Sequence, residues 1–316
     1  MKFLPIAATI AVATIATSAG AQTLPAGEVE LIVPFEPGGS VDVTSRILAE
    51  TANSLQDETT ITVVNRAGGG GVVGQAFVAR AEPDGQTVLA ITSSVVTNPR
   101  MKSVPYTIED FTPVGLYNLD PEVIAVPANS EFKTAQDFLA AAAERQLNVV
   151  VAGLATSHHM SGLAIEKATG LSMNYIPTSG FGAQVQAIAG GHADAALWPL
   201  GEASTQLDGG AIRVLAIAQE ERHPKLPDVP TFQEAGIDIP LWATFRGWAV
   251  PAGTPEETVA ALSDLMAEVS ESPAYVEKMS AAGYDPVFRD AAGFDAVVKD
   301  YDTQTSAIIK EFDLAE

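Results

Sequence analysis

The chain contains no cysteine and few aromatic residues. None of its 316 residues is Cys, and Phe, Trp and Tyr together make up 7%. Disulfide bonds are therefore excluded as a source of stability. The fold must be held by an apolar core, for which a hydrophobic share of 47% provides the side chains. An exported chain of this kind suits a bacterial periplasm better than the small disulfide-rich modules found outside cells.

Basic residues are also scarce. There are 17 Lys and Arg residues against 39 Asp and Glu residues, which gives a net charge of −22. Such a surface repels phosphate backbones, so the composition excludes a nucleic acid as partner. The negative charge by itself indicates no more than a highly soluble surface.

Long apolar runs are missing everywhere except at the N-terminus. An apolar or small stretch follows Lys2 and ends at Thr17, and Ala19-Gly20-Ala21 matches a small-x-small cleavage site. We interpret residues 1–21 as a secretory signal peptide cleaved near Ala21, with a retained membrane anchor as the alternative. Lys2 is the only charged residue in that stretch, so the mature chain has a net charge of −23 and is expected in the periplasm.

Strand-like and helix-like segments alternate along the rest of the chain. This alternation favours an α/β fold with parallel strands and helices on both faces. The alternation of strands and helices starts again near residue 114, which predicts two α/β lobes. We expect the last helices to return to the first lobe. The predicted strands lie at 29–35, 60–65, 87–94, 114–119, 122–128, 147–154, 173–178, 193–200 and 211–218, and the predicted helices at 41–55, 72–81, 134–145, 157–170, 182–191, 255–272, 272–283 and 292–312.

A glycine pair, Gly38 and Gly39, joins the first strand to the first helix. Glycine lets the backbone approach a ligand closely, and the free N–H groups of a helix start attract anions. A tight turn with Ser40 as N-cap is the alternative. Asp42 in the first helical turn either satisfies the helix dipole or faces a ligand ammonium or hydroxyl.

A second loop, residues 65–74, matches the dinucleotide pattern G-x-G-x-x-G. The fingerprint also needs an acidic residue at the end of the next strand, which here ends in Ile91-Thr92-Ser93-Ser94. An exported protein also rarely meets NAD, so we predict no cofactor.

A third loop, residues 152–163, offers the hydroxyls of Thr156 and Ser157 beside His158 and His159. Adjacent histidines point about 100° apart on a helix, which argues against a shared metal ion. The G-x-S-x-G elbow of a serine hydrolase is absent as well. We therefore predict neither a metal site nor catalytic residues.

A fourth glycine-rich loop, in which Gly180 and Gly182 flank Phe181, also precedes a predicted helix. Four such loops in two lobes are too many for one enzyme motif. Open α/β sheets bind ligands at the carboxyl ends of their strands. The sequence therefore predicts a protein that encloses a small anion between two lobes by means of backbone amides and hydroxyls.

Several stretches together resemble one known family. In order from about residue 29 to the C-terminus, they are similar to the periplasmic solute receptors of tripartite tricarboxylate transporters, also called Bug proteins. The stretches are IVPFEPGGSVDVTSRILAE, VVNRAGGGGVVG, ARAEPDGQTVLA, TSHHMSGL, IPTSGFGAQVQAIAGGHADAA, LAIAQEERHPKLPDVPTFQEAG and VPAGTPEE.

This resemblance implies a two-lobe, type II Venus-flytrap fold with a hinge. Lobe 1 would comprise residues 22–125 and 250–316, and lobe 2 residues 126–249. The ligand would be a small organic carboxylate, and the partners would be membrane permease subunits that receive it from a monomeric receptor. A receptor that presents its ligand to a membrane sensor is an alternative, and an exported enzyme using His159 and Asp42 is another.

The resemblance also implies a set of ligand-binding residues. Lobe 1 would grip a carboxylate at the first glycine loop and line the wall with a serine pair, and lobe 2 would grip it at the third loop. Ala155 stands where the family often has Gly, Thr178 where it often has Tyr, and Trp198 where it usually has a smaller residue, as a stacking wall or a core side chain. The predicted ligand-binding residues are Phe35, Gly38, Gly39, Ser40, Asp42, Ser93, Ser94, Thr156, Ser157, His159, Gly180 and Trp198.

Overall fold

The computed structural model describes residues 24–239 and 241–315. The predicted signal peptide lies outside these described residues. No helix in the described part of the chain has both the length and the apolarity of a membrane span. The protein has an α/β fold with two lobes, and its ten strands in the described residues form one sheet that continues from lobe 1 into lobe 2.

Lobe 1 begins with three parallel strands in the order β2-β1-β3. The central strand is buried in its C-terminal half, where Leu31, Ile32 and Val33 are fully covered. Such continuous apolar runs are expected where helices cover both faces of a parallel sheet. The three strands are β1 (Gly27–Val33), β2 (Thr59–Asn65) and β3 (Thr87–Thr92).

Two long strands pass from one lobe to the other. Strand β4 (Phe111–Pro127) pairs antiparallel with β9 (Ala243–Pro251) as far as Pro121, and from Glu122 onward it pairs with strands of lobe 2. Strand β9 in turn pairs antiparallel with β3. The lobe boundaries predicted at residues 125/126 and 249/250 fall inside these two strands, and they remain predictions.

Lobe 2 contains the other three parallel strands, in the order β7-β5-β6. Strand β7 and the antiparallel strand β8 both pair with the second half of β4. A short strand of lobe 1, β10, pairs with the first half of β4. These strands are β5 (Leu147–Val151), β6 (Met173–Pro177), β7 (Ala195–Pro199), β8 (Ile212–Ile217) and β10 (Pro286–Asp290).

Ten α-helices in the described residues cover these sheets. Their starts and ends follow ordinary capping chemistry: Thr134 and Asp137 form a capping box, and Gly170 ends its helix with a left-handed φ of 72°. The helices are α1 (Ser40–Leu55), α2 (Val72–Val78), α3 (Ser94–Met101), α4 (Ala135–Glu144), α5 (Ser157–Thr169), α6 (Phe181–Ala189), α7 (Leu200–Asp208), α8 (Glu256–Glu271), α9 (Pro273–Ala281) and α10 (Ala291–Glu311).

The last helix, α10, contacts both lobes. It packs on β4, on α3 of lobe 1 and on α5 of lobe 2. Asp302 pairs with Arg100 at 2.6 Å on the side of lobe 1, and Glu311 pairs with Lys167 at 2.7 Å on the side of lobe 2. The helix therefore contacts both lobes, and its assignment to lobe 1 stays a prediction.

Six elements, β3, α3, β4, α7, β9 and β10, differ from the sequence-based prediction. The predicted strand at 87–94 ends at Thr92, and α3 begins two residues later. The two strands predicted at 114–119 and 122–128 are one continuous strand, β4. Helix α7 and the antiparallel strands β9 and β10 were not predicted. The parallel arrangement is therefore limited to the two outer groups of strands.

Gly247 in β9 allows the two shared strands to approach each other. A Cβ atom at this position would overlap the ring of Phe294 and lie 2.5 Å from the carbonyl oxygen of Gly115. We expect Gly247→Ala to lower the free energy of unfolding by about 1–3 kcal/mol, because it overfills a packed site. Denaturant unfolding measures the change.

Gly182→Ala is the matched control. Its Cβ would enter open space near the start of α6, so we expect a stability change between zero and a gain of about 1 kcal/mol. Equal stability of the two variants would contradict the close approach at Gly247.

Candidate ligand-binding site

A small cavity of about 50 Å³ lies between the lobes. It is several times larger than the roughly 10–15 Å³ that one water molecule needs. Both lobes supply its walls, mainly at the carboxyl ends of strands and the starts of helices. The structure brings eight of the predicted ligand-binding residues to this lining: Phe35, Gly39, Ser40, Ser93, Ser94, Thr156, Ser157 and Gly180.

Four helices begin at the cavity, two from each lobe. Their N-cap residues, Gly39 of α1, Ser93 of α3, Thr156 of α5 and Gly180 of α6, all line it. No side chain caps any of these four starts. The first N–H groups of a helix have no partner within the helix, and its dipole is positive at this end, so the four starts form a set of donors for an anion.

Arg246 of β9 lies at the base of the cavity and is fully buried. Its guanidinium donates to Asp120 Oδ2 at 2.9 Å, to Ser40 Oγ at 2.8 Å and to Asn118 Oδ1. Its Nε atom is buried without a hydrogen-bond partner. The guanidinium thus joins the shared strand β4 to the start of α1 and keeps one donor for a ligand.

Glu202 of α7 reaches the cavity from lobe 2. Its Oε1 accepts a hydrogen bond from Ser40 Oγ at 2.5 Å, which links the two lobes directly. Its Oε2 lies 3.7 Å from Nε2 of His158, which also lines the cavity. The two side chains are 7% and 6% exposed, so both are poorly solvated.

The buried hydroxyls of Ser157 and Thr244 connect the third loop to the carboxyl group of Glu122. Thr244 Oγ1 lies 2.6 Å from both Ser157 Oγ and Glu122 Oε1. Burial raises the pKa of Glu122 to about 7, although His158 and the hydroxyl of Thr244 act to lower it. Ser157 hence bonds to Thr244, and no hydrogen bond joins it to either neighbouring histidine within the described contacts.

Gly38 and Asp42 lie outside the lining, and both shape the first loop. Gly38 has a φ of 85°, and its N–H donates to Asp42 Oδ2 at 2.9 Å. Arg46 and Asn65 also donate to this carboxylate. Burial alone would raise the pKa of Asp42, but these hydrogen bonds hold it below its ordinary value. Asp42 thus braces the turn.

His159 also lies outside the lining, on the other side of α5 from His158. Its Nδ1 accepts from the N–H of Ala155 at 3.3 Å, and its ring packs edge-on against Tyr175 at 4.7 Å. Ala155 has a φ of 63°, a left-handed conformation that costs an L-residue about 1 kcal/mol. His159 therefore stabilises the strained third loop through its hydrogen bond with Ala155 and does not face the cavity.

Trp198 is fully buried in the core of lobe 2, one layer behind the cavity. Its Nε1 donates to Gln184 Oε1 at 2.9 Å, and its ring packs against Phe181 at 5.2 Å between centroids. Gln184 and Phe181 both line the cavity. Trp198 therefore fixes the orientation of two wall residues without reaching the cavity itself.

Sequence reasoning missed the polar side chains that distinguish this cavity. One signal was present: Arg246 is a lone charge inside the apolar strand segment FRGWAV, where a buried charge needs a special partner. The others carry no comparable signal, because they come from segments far apart in the chain. The lining residues missed are Glu36, Val41, Thr92, Ala152, His158, Phe181, Gln184, Glu202, Thr244 and Arg246.

The tract Gly68–Gly71, which contains the first two of the three glycines that match the dinucleotide pattern, also lies outside this lining. Its four glycines all have positive φ. A Cβ on Gly70 would lie 3.3 Å from the carbonyl oxygen of Leu154 in lobe 2. The tract thus lets two loops from different lobes approach closely.

Comparison with known proteins connects this geometry to one family. The family model described as "Tripartite tricarboxylate transporter family receptor" matches residues 45–314. BugT of Bordetella pertussis is 31% identical over 310 residues, covering 96% of this chain and 94% of that protein.

Two solved structures with bound acids are also similar. R. palustris Rpa4515 with adipate has a TM-score of 0.85 at 25% identity, covering 90% of this chain and 97% of that chain. MatC from Rhodopseudomonas palustris with bound malate has a TM-score of 0.82 at 26% identity, covering 90% and 100%.

The buried environment of His159 makes the stability of the protein depend on pH. Burial, with a smaller effect of Lys102, lowers the pKa of His159 to about 4 from an ordinary 6.5. Because the folded-state pKa lies below the unfolded-state value, this contribution is complete above pH 6.5 and is lost as the pH falls towards 4. We expect that loss to reach about 3 kcal/mol, and His159→Asn, which keeps an acceptor for Ala155, to abolish it.

Denaturant unfolding of both proteins at pH 4.5, 5.5, 6.5 and 7.5 measures this difference. Other titrating groups are common to both proteins and cancel. His192→Asn, which changes an exposed histidine, is the control and should keep the slope of the parent. An unchanged slope in His159→Asn would show that His159 binds a proton equally well in both states.

Proposed function

Because the chain belongs to the tripartite tricarboxylate transporter receptor family, we propose that it captures a small organic carboxylate between its lobes and delivers it to the membrane permease of such a transporter. The observation that carries this proposal is the convergence of four uncapped helix starts and Arg246 on one interlobe cavity.

The donors at this cavity match the chemistry of a carboxylate. Each helix start stabilises a negative charge by about 0.3–1 kcal/mol, and more where it is partly buried. Arg246 and Gln184 both line the cavity, and Arg246 Nε and Gln184 Nε2 are buried without hydrogen-bond partners. An acid that accepts from these groups satisfies donors that otherwise remain unpaired at a cost of about 1–3 kcal/mol each.

Closure of the lobes around a ligand would give the permease a surface that distinguishes the bound receptor from the empty one. Ser40 of lobe 1 and Glu202 of lobe 2 meet at 2.5 Å, and Thr97 donates to the carbonyl of Ala155 across the same cleft. A ligand that contacts both lobes favours this closed arrangement. The receptor works in the periplasm as a monomer after removal of its leader near Ala21, and its permease binds the closed form.

Family members are solute-binding receptors, which supports a receptor rather than an enzyme. The exported-enzyme hypothesis used Asp42 and His159. Both are held in structural hydrogen bonds away from the lining. Neither can transfer a proton to a molecule in the cavity as the lobes are arranged here.

Gly39→Val tests the first helix start. A Cβ at Gly39 has one neighbour within 4 Å, the carbonyl oxygen of Glu36 at 3.8 Å, and its φ of −79° suits any L-residue. We therefore expect a folded variant whose added side chain blocks the approach of a carboxylate to the N–H groups of α1. Affinity should fall at least tenfold.

The measurement is thermal shift followed by calorimetric titration with malate, succinate, adipate, citrate and aspartate. A ligand at 100 times its dissociation constant adds about 2.7 kcal/mol to stability. Gly209→Val, at an exposed helix end with negative φ, is the control and should bind as the parent does. The proposal fails if no organic acid stabilises the parent protein, and equal affinity of Gly39→Val removes the first loop from the site.

A further inference from the structure

Glu202 has an unused hydrogen-bond acceptor in the cavity. The side chain is about nine-tenths buried, and Oε1 accepts from Ser40. Oε2 is buried and has no hydrogen-bond partner. Its neighbour, His158 Nε2, is 3.7 Å away, which is beyond hydrogen-bond distance.

The hydrogen bonds of lobe 2 determine which nitrogen of His158 carries a proton. The indole N–H of Trp198 can only donate, so the atom of Gln184 that it contacts at 2.9 Å is the amide oxygen. The same oxygen lies 3.3 Å from His158 Nδ1 and cannot donate. Nδ1 therefore carries the proton, and in the neutral imidazole Nε2 is a second bare acceptor beside Glu202 Oε2.

The charges around the cavity do not favour a ligand with several negative groups. Asp120, Glu122 and Glu202 are all buried and interact with one another, and Asp120 pairs with Arg246 at 2.9 Å. Among the described residues, His158 is the one basic side chain within ion-pair distance of Glu202. An uncompensated buried carboxylate is costly, so a positive group in the ligand would stabilise the complex.

We propose that the ligand is an α-amino acid, whose ammonium group binds between Glu202 Oε2 and His158 Nε2. This inference rests on the proposed function, because the carboxylate of the same molecule binds the helix starts and Arg246. Ser40 contacts both Arg246 and Glu202, so the two subsites are adjacent. Adjacent subsites fit amino and carboxylate groups on one carbon atom.

An ammonium fits the two acceptors better than a hydroxyl does. It can donate to Oε2 and Nε2 together, whereas a hydroxyl has one proton and satisfies only one of them. An unsubstituted acid satisfies neither. The order of affinity should be amino acid, then hydroxy acid, then unsubstituted acid of the same skeleton.

Matched ligand sets test this order by thermal shift and calorimetry. The sets are alanine, lactate and propionate; aspartate, malate and succinate; glutamate, 2-hydroxyglutarate and glutarate; and phenylalanine, phenyllactate and phenylpropionate. In the set that binds, we expect the amino acid to bind at least tenfold more tightly than the unsubstituted acid.

Glu202→Gln is the matching variant. Its amide keeps an acceptor for Ser40 and removes the negative charge, so the ratio of amino-acid affinity to unsubstituted-acid affinity should fall at least tenfold. Circular dichroism checks the fold, and the ligand sets on the parent protein decide the question if this variant does not fold.

The outcomes separate the two proposals. If an unsubstituted or hydroxy acid binds the parent as tightly as its amino partner, the ammonium subsite is overturned and carboxylate capture stands; a protonated His158 paired with Glu202 would give this result. If no member of any set binds, carboxylate capture itself is contradicted.

Discussion

The structure depends on the buried guanidinium of Arg246, which lies between β4 and β9, the two paired strands that the lobes share. Arg246 occupies the middle of an otherwise apolar strand, and its charge is compensated by Asp120 on the neighbouring strand. Burying such a pair costs much of what the pair gains, but removing one partner would leave a charge without compensation. Because the same guanidinium also binds Ser40, the start of the first helix is fixed relative to the hinge strands.

Backbone and side chains contribute differently to the cavity. The helix starts come from loops in which glycine or a small polar residue leaves the N–H groups accessible, and they provide a general attraction for negative charge. Selectivity comes from side chains that reach the cavity from elsewhere: Arg246 from a hinge strand and Glu202 and Gln184 from helices of lobe 2. Under the proposed function, one fold can therefore keep the same carboxylate site while the second ligand group that it recognises varies.

Much of the fold could be predicted from sequence, because a clear hydrophobic periodicity identifies most of the strands and helices. The elements that were missed lack such a signal. Helix α3 is short and contains Pro99, and β9 is buried almost throughout and so shows no alternation. Within the site, sequence could assign loops but not side-chain directions. His158 and His159 are adjacent, yet only the first lines the cavity, since successive helical residues point about 100° apart.

The overall charge of the chain and the local charges of the cavity favour the same kind of ligand. A net charge of −22 repels a tricarboxylate at long range, and the buried acids beside the cavity repel it again at short range. Local donors can overcome this for one carboxylate, because they act at contact distance in a poorly solvated space where screening by salt is weak. A ligand whose own ammonium group neutralises its carboxylate is repelled less, both by the net charge of the chain and by the buried acids. Under the proposed function, the acidity of this chain, which by itself indicates only solubility, also disfavours highly charged anions.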